Sequence, residues 1–209
     1  MPSNKYMKNL KLKLSILLVV LFITFMYSKP VSAVYPTFTK DWEWNYNGAA
    51  HYYIVNLSSK FQESVKEAAS NWYKTGYHTN PLYPMNRTST QSESPIDLYN
   101  SNLGKNTYGR TEFYVSGGTK LGLGDNNYGP LKDWLYCKIL INESLFNEDF
   151  GDNPTKRKIL IAHEMGHAFG LAHNTSSTNL VMYTYLELNK ATKITKDDSA
   201  ALVQKLKFW

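Results

Sequence analysis

The segment His163–His173, HEMGHAFGLAH, constrains the fold of this chain more than any other part of the sequence. His163 and His167 are four residues apart, and this spacing puts both imidazoles on one face of a helix, with Cβ atoms about 5–6 Å apart. Gly170 has the backbone freedom to leave the helix, so that His173 can return to the same side. The chain must therefore contain a helix that ends near Gly170 and a loop that folds back.

These residue types predict a catalytic zinc site. Zinc binds imidazole nitrogen at about 2.0–2.1 Å, and three protein ligands leave a fourth position for water. Glu164 is next to His163 on the helix and can reach such a water without binding the metal, a pattern typical of metalloproteases. We therefore expect His163, His167 and His173 to bind zinc and Glu164 to be the catalytic base.

The first 33 residues predict a secretory signal peptide. Lysines between positions 5 and 13 precede an apolar run, Leu14–Tyr27, and Val31–Ala33 places small residues at a plausible cleavage site. A membrane anchor is the alternative, but the run has 14 residues and a spanning helix needs about 20. We expect cleavage near Ala33, secretion or retention at the cell surface, and no membrane contact after cleavage.

The charge of the chain depends mainly on this leader. The formal net charge is +6, but residues 1–33 carry five lysines and no acidic residue, which leaves 18 basic and 17 acidic residues in 34–209. A near-neutral domain gives no reason to expect nucleic acid binding, which requires a basic patch. We expect residues 34–209 to form a single monomeric catalytic domain, with the one cysteine, Cys137, buried in its core.

Periodicity and capping residues predict three helices and four strands. Their order predicts an α+β or mixed α/β fold with a small sheet. The helices are expected from Ser58 or Ser59 to Lys74, from Pro154 to Phe169 with Asn153 as its N-cap, and from the capping pair Thr195 and Asp198 to Leu206. The strands are expected at Tyr52–Val55, Ile96–Tyr99, Thr111–Val115 and Trp134–Ile141.

The motif at 163–173 resembles the metzincin signature, and Met182 follows nine residues after His173. The pair Met182-Tyr183, with Asp197-Asp198 opening a final helix, is similar to the matrixin branch. The resemblance implies a metzincin-like α+β fold: a small twisted mixed sheet, an active-site helix, a backing helix and a C-terminal helix. It also implies a turn that places Met182 beneath the zinc.

The same resemblance implies an endopeptidase acting on proteins or peptides. The three histidines would bind the zinc, and Glu164 would act as the general base. The substrate would lie antiparallel to an edge strand, which we expect between Thr111 and Ile141. Three residues after the methionine, Tyr183, Tyr185 and Leu186, would either line the pocket beyond the cleaved bond or pack in the core.

Three alternatives stay open at this point. Asp125, Asn126 and Asn127 offer oxygen ligands for calcium, although a glycine-rich turn accounts for the same segment. A binding protein that retains a silent metal site is a second alternative, against which the intact Glu164 argues. A zinc hydrolase acting on a non-peptide amide would use the same residues.

Overall fold

Five strands form one mixed sheet in the computed structural model, which describes residues 35–43, 51–77, 84–124 and 129–206. The spatial order is β2-β1-β3-β5-β4, in which β4 pairs antiparallel with β5 and every other pair is parallel. The predicted α+β class with a small mixed sheet is confirmed. The strands are β1 His51–Ile54, β2 Asn86–Arg87, β3 Ile96–Asn100, β4 Gly109–Tyr114 and β5 Tyr136–Ile141.

Strand β5 illustrates why the sheet has one covered face. Cys137, Ile139 and Ile141 alternate along it and are fully buried against the helices. Tyr136 and Lys138 point to the other face and are only half-buried. Cys137 is the buried free thiol that the sequence predicts.

Within the described ranges, four α-helices accompany the sheet: α1 Ser59–Tyr73, α2 Glu143–Phe150, α3 Pro154–Ala168 and α4 Lys196–Leu206. Helix α1 packs along α3, and α3 lies against β4 and β5. The indole nitrogen of Trp72 on α1 donates to the Ala162 carbonyl on α3 at 2.9 Å. The backing helix therefore fixes the position of the helix that carries the histidine motif.

The predicted capping residues mostly act as the sequence indicates. Asn153 accepts from the backbone N–H of Lys156 at 3.0 Å and starts α3. Thr195 and Asp198 bond reciprocally at the start of α4, at 3.0 and 3.2 Å. Ser58 is the N-cap of α1, but its side chain makes no capping hydrogen bond.

Helix α2 is absent from the sequence-based prediction, although local signals mark both of its ends. The Asn142 side chain accepts from the backbone N–H of Leu145 at 3.3 Å and caps the first turn. Gly151 follows the last turn with φ of 60°. The helix has only eight residues, too few for an apolar periodicity to stand out.

Two predictions concern residues outside the described ranges: the signal peptide at 1–33, and the calcium ligands Asp125, Asn126 and Asn127. Among the residues that the structure describes, no helix combines the length and the apolar character needed to cross a bilayer.

Candidate active site

Helix α3 ends where the motif requires it to end. Gly170 has φ of 92°, a left-handed value that side chains disfavour. The backbone N–H of Leu171 returns to the Gly166 carbonyl at 2.9 Å and closes the last turn. A Cβ at position 170 would also lie 2.5 Å from Cε of Lys205. The chain therefore leaves the helix at Gly170 and brings His173 back towards His163 and His167.

The three histidines point their Nε2 atoms at one another. The Nε2 atoms of His163 and His167 are 3.0 Å apart, and that of His173 lies 3.2 Å from each of them. Nitrogen ligands on one tetrahedral zinc are about 3.3 Å apart, given Zn–N distances near 2.0–2.1 Å. The separation and the chemistry of these donors therefore fit a zinc ion.

Backbone carbonyls orient two of these rings. Nδ1 of His163 lies 2.9 Å from the Val181 carbonyl, and Nδ1 of His167 lies 2.8 Å from the Leu171 carbonyl. Each carbonyl holds the ring proton on Nδ1 and leaves the Nε2 lone pair free for a metal. The ring of Phe38 stacks on His167 at 5.7 Å between centroids and further limits its rotation.

Burial keeps the imidazoles in the neutral form that a metal requires. Desolvation lowers the pKa of His163 to about 4, with a further contribution from His173. The pKa of His167 is lowered well below its ordinary value by desolvation and by both neighbouring rings. Desolvation also lowers the pKa of His173. Metal binding at neutral pH therefore does not need to displace protons from these nitrogens.

Glu164 lies beside this triangle and is held by the edge strand. The Thr111 hydroxyl on β4 is 2.8 Å from Oε2 of Glu164 and 2.9 Å from its backbone carbonyl. Oε1 faces Gly109, where a Cβ would come within 2.6 Å of it. Burial raises the pKa of Glu164 to about 7, against the Thr111 hydrogen bond and the charge of Arg110.

Met182 lies under the active-site helix, in the turn where the resemblance places it. It is fully buried, and its thioether occupies the space that a side chain at Gly166 would need. The adjacent Val181 N–H donates to Oδ2 of Asp198 at 3.1 Å. Asp198 is itself fully buried and accepts from the Tyr35 hydroxyl. Helix α4 and the segment 35–43 therefore support this turn.

Two cavities open on either side of the histidine triangle. The first, of about 180 Å³, is lined by His163, Glu164 and His173. Its remaining lining comes from two loops, Asn106–Gly109 and Tyr183–Glu187, together with Leu160 and Asn189. Tyr183, Tyr185 and Leu186 therefore line a cavity, and Leu186 is buried as well.

The second cavity, of about 200 Å³, lies on the other side of the triangle, where β4 continues beyond Gly109. Phe38, Phe113 and Leu123 give it a mainly apolar wall. His167, His173 and Glu164 border it as well. The two cavities share Gly109, Glu164 and His173 in their linings and therefore meet at the histidines.

The family model described as Matrixin, of peptidase family M10, matches residues 38–206. The chain belongs to the matrixin family. This confirms the sequence-based identification and makes the chain a zinc metallopeptidase, because the family implies a catalytic zinc. No curated protein sequence matches this matrixin.

Two solved structures are similar in fold to this matrixin at low identity. Archaemetzincin from Methanopyrus kandleri is 12% identical with a TM-score of 0.40, over 77% of this chain and 96% of that chain. Metalloproteinase-II from Bacteroides fragilis is 13% identical with a TM-score of 0.44, over 86% of this chain. The match spans only 59% of the length of the Bacteroides protein.

The role of two residues of this matrixin site is not predicted by the sequence. Thr111 is 53 residues from the glutamate that it holds, and Phe38 precedes the motif by more than a hundred positions. Neither belongs to a recognisable motif. Only the pairing of β4 with β5 and the packing of α3 on that sheet edge bring Thr111 to Glu164.

Proposed function

We propose that residues 34–209 form the catalytic domain of a secreted zinc endopeptidase. His163, His167 and His173 would hold the zinc, and Glu164 would act as general base. The observation that carries the proposal is the triangle of Nε2 atoms, 3.0 to 3.2 Å apart, beside a buried glutamate in an open cleft.

The chemistry requires a metal and one proton carrier. Zinc bound at such a site supplies Lewis acidity, which lowers the pKa of water and polarises a carbonyl. Glu164 Oε1 would take the proton of the attacking water and pass it to the departing amine. Oε2 stays bonded to Thr111, so that the carboxylate keeps its orientation while Oε1 exchanges the proton.

The edge strand β4 offers a place for an extended substrate. The Tyr108 and Tyr114 carbonyls accept from Asn142 and Leu135 on the β5 side. By alternation, the backbone groups of Gly109 and Thr111 face the open edge. A peptide could add there as a further strand, directly beside Glu164. Backbone recognition of this kind supports cleavage within protein chains over hydrolysis of a small amide.

Secretion is part of the proposal and rests on the sequence of residues 1–33. The lysine-rich start, the apolar run Leu14–Tyr27 and the small residues before Val34 favour export and cleavage near Ala33. We propose that the mature protein acts outside the cell, or at its surface, on protein or peptide substrates.

The test uses the chain from Val34, with and without Glu164→Gln, on unfolded casein or gelatin. We expect about one zinc per chain in both proteins, cleavage by the wild type alone, and inhibition by a chelator. The variant keeps the shape of Glu164 but cannot accept a proton. Zinc binding without cleavage by the wild type would count against an endopeptidase, and absence of zinc would overturn the assigned site.

A further inference from the structure

Of the described residues that line the first cavity, one has a charged side chain besides Glu164 and the histidines. It is Glu187, at the far end of the loop that begins at Tyr183. We infer that this cavity takes a lysine or arginine side chain of the substrate, at the position after the cleaved bond, and that Glu187 recognises its charge. The inference rests on the proposed endopeptidase function and adds a substrate class to it.

The direction of β4 decides which substrate residue enters this cavity. The first cavity lies against Asn106–Gly109, at the start of β4, whereas the second lies further along, against Gly109–Thr111 and Phe113. A substrate strand that pairs antiparallel with β4 runs towards Gly109. Its residues after the cleaved bond therefore reach the first cavity.

The walls of the cavity match a side chain with an apolar stem and a charged tip. Leu160 and Leu186 are both buried and line it. Tyr183 adds an aromatic wall next to the metal site. Lysine and arginine bury their methylene groups along apolar surface and keep the charged end in a polar setting. Glu187 is exposed to solvent at the position such a tip would reach.

Glu187 is available for a substrate cation because its neighbours do not neutralise it. The Tyr108 hydroxyl lies near two carboxylates, and its single hydrogen goes to Oδ2 of Asp149 at 2.6 Å. Burial and both acidic residues, Asp149 and Glu187, raise the pKa of Tyr108. Neither carboxylate forms a salt bridge with any residue that the structure describes.

The ammonium group of Lys156 is close enough for the charge of Glu187 to oppose the lowering of its pKa by burial, but its hydrogens are engaged elsewhere. Its Nζ donates to the Leu186 carbonyl at 2.5 Å and to the Asn189 carbonyl at 2.7 Å. Its third contact is the backbone carbonyl of Glu187, at 3.4 Å. Lys156 therefore holds the loop Tyr183–Glu187 against α3. Because Asp149 and Glu187 carry two negative charges and Lys156 one positive charge, this end of the cavity is negative.

The experiment compares peptides that differ only in the residue after the cleaved bond: lysine, arginine, methionine or glutamate, with each cut located by mass spectrometry. For the wild type we expect kcat/KM to be about fivefold or more higher with lysine or arginine than with methionine. Glutamate should be the poorest. High salt should reduce the preference, because the charges are screened.

Variants separate the charge of Glu187 from its bulk. Glu187→Gln should lower kcat/KM for the lysine peptide to the level of the methionine peptide, and Glu187→Lys should favour glutamate. Glu148→Gln, an exposed carboxylate on α2 outside the cavity lining, is the matched control and should behave as wild type.

The outcomes distinguish this inference from the function on which it rests. Equal cleavage of all four peptides, or a lysine preference that survives in Glu187→Gln, would overturn the role of Glu187 and leave the endopeptidase proposal intact. Failure of the zinc-loaded wild type to cleave any peptide or unfolded protein would overturn both.

Discussion

Met182 fills the space beside Gly166, between the two histidines of the active-site helix. A Cβ at position 166 would overlap the Met182 thioether sulfur and come within 3.2 Å of both Met182 Cε and Trp72 Cζ2. The helix can approach the turn beneath it only because position 166 has no side chain. This contact therefore connects the turn beneath the helix directly to the segment that separates His163 from His167.

Gly166→Ala should destabilise the fold by about 1–3 kcal/mol, the usual cost of forcing an extra carbon into a packed core. It should also lower zinc affinity, because the helix must shift between His163 and His167. Urea unfolding of the single variant, of Met182→Ala and of the double variant measures the coupling. If Met182 is the obstacle, the alanine costs less in the Met182→Ala background, whereas equal costs in both backgrounds would contradict this.

Thr111 is predicted to position the general base through one hydroxyl group. Thr111→Val keeps the shape of the side chain and removes the hydrogen bond to Glu164 Oε2. We expect kcat/KM to fall about tenfold, the lower end of effects seen for groups that orient a metal site, with zinc content unchanged. Thr111→Ser restores the hydroxyl and should recover most of the activity. A valine variant as active as wild type would remove Thr111 from the mechanism.

Local chemistry explains which parts of the fold could be predicted from the sequence. Asn153 and Pro154 start α3 and Gly170 ends it, and each acts on backbone groups within a few residues. The histidine spacing is equally local, because four residues of helix and one returning loop determine where His173 arrives. The triangle of histidines could therefore be predicted without knowledge of the sheet.

Contacts between distant segments explain what could not be predicted. The order of the strands places β4, and with it Thr111, at the edge next to α3, although β5 lies more than twenty residues further along the chain. The packing of Phe38 on His167 similarly depends on how residues 35–43 cross the end of α3. There the backbone N–H of Phe38 donates to the Gly170 carbonyl at 2.7 Å. No short-range pattern encodes either arrangement.

Zinc removal should lower the stability of the domain as well as its activity. We expect zinc to bind the folded triangle and not the separated histidines, so that its binding adds to the free energy of unfolding. At a thousandfold excess over Kd the gain is about 4 kcal/mol. Thermal unfolding with a chelator and after zinc addition measures this gain.

The matched variants for this measurement are His167→Ala and Glu164→Gln. The first removes one of the three nitrogen donors and should abolish most of the zinc-dependent shift in Tm. The second keeps all three donors and should retain the shift while losing activity. A shift that persists in His167→Ala would place the metal elsewhere in the chain.

Asp97 lies on β3, away from the active site, and is predicted to make stability depend on pH. It is buried, and its Oδ2 accepts from the Gln91 amide at 2.7 Å, but its Oδ1 has no hydrogen-bond partner among the described residues. Burial raises its pKa, against hydrogen bonds from Gln91 and Tyr99, the nearby Ser94 hydroxyl and the charge of Lys138. The folded state therefore holds this proton more tightly than the unfolded state does.

A raised pKa in the folded state means that the contribution of Asp97 to stability is lost as pH rises. It is fully present below the pKa of the unfolded chain, about 3.9, and declines as pH passes through the higher folded value. Asp97→Asn keeps an oxygen for Gln91 and removes the buried charge. We expect it to stabilise the protein by about 1 kcal/mol at pH 7, comparable to the cost of an unsatisfied buried group.

The measurement is urea unfolding of wild type and Asp97→Asn between pH 4 and pH 8, with Glu93→Gln, a more exposed nearby carboxylate, as the control. The difference between Asp97→Asn and wild type should widen as pH rises and should be smallest near pH 4, where the aspartate is about half protonated in the unfolded state and more fully protonated in the folded state. The control should follow the wild type. A variant that is less stable than wild type at pH 7 would show that the Asp97 charge is stabilised within the fold, by the Gln91 hydrogen bond above all.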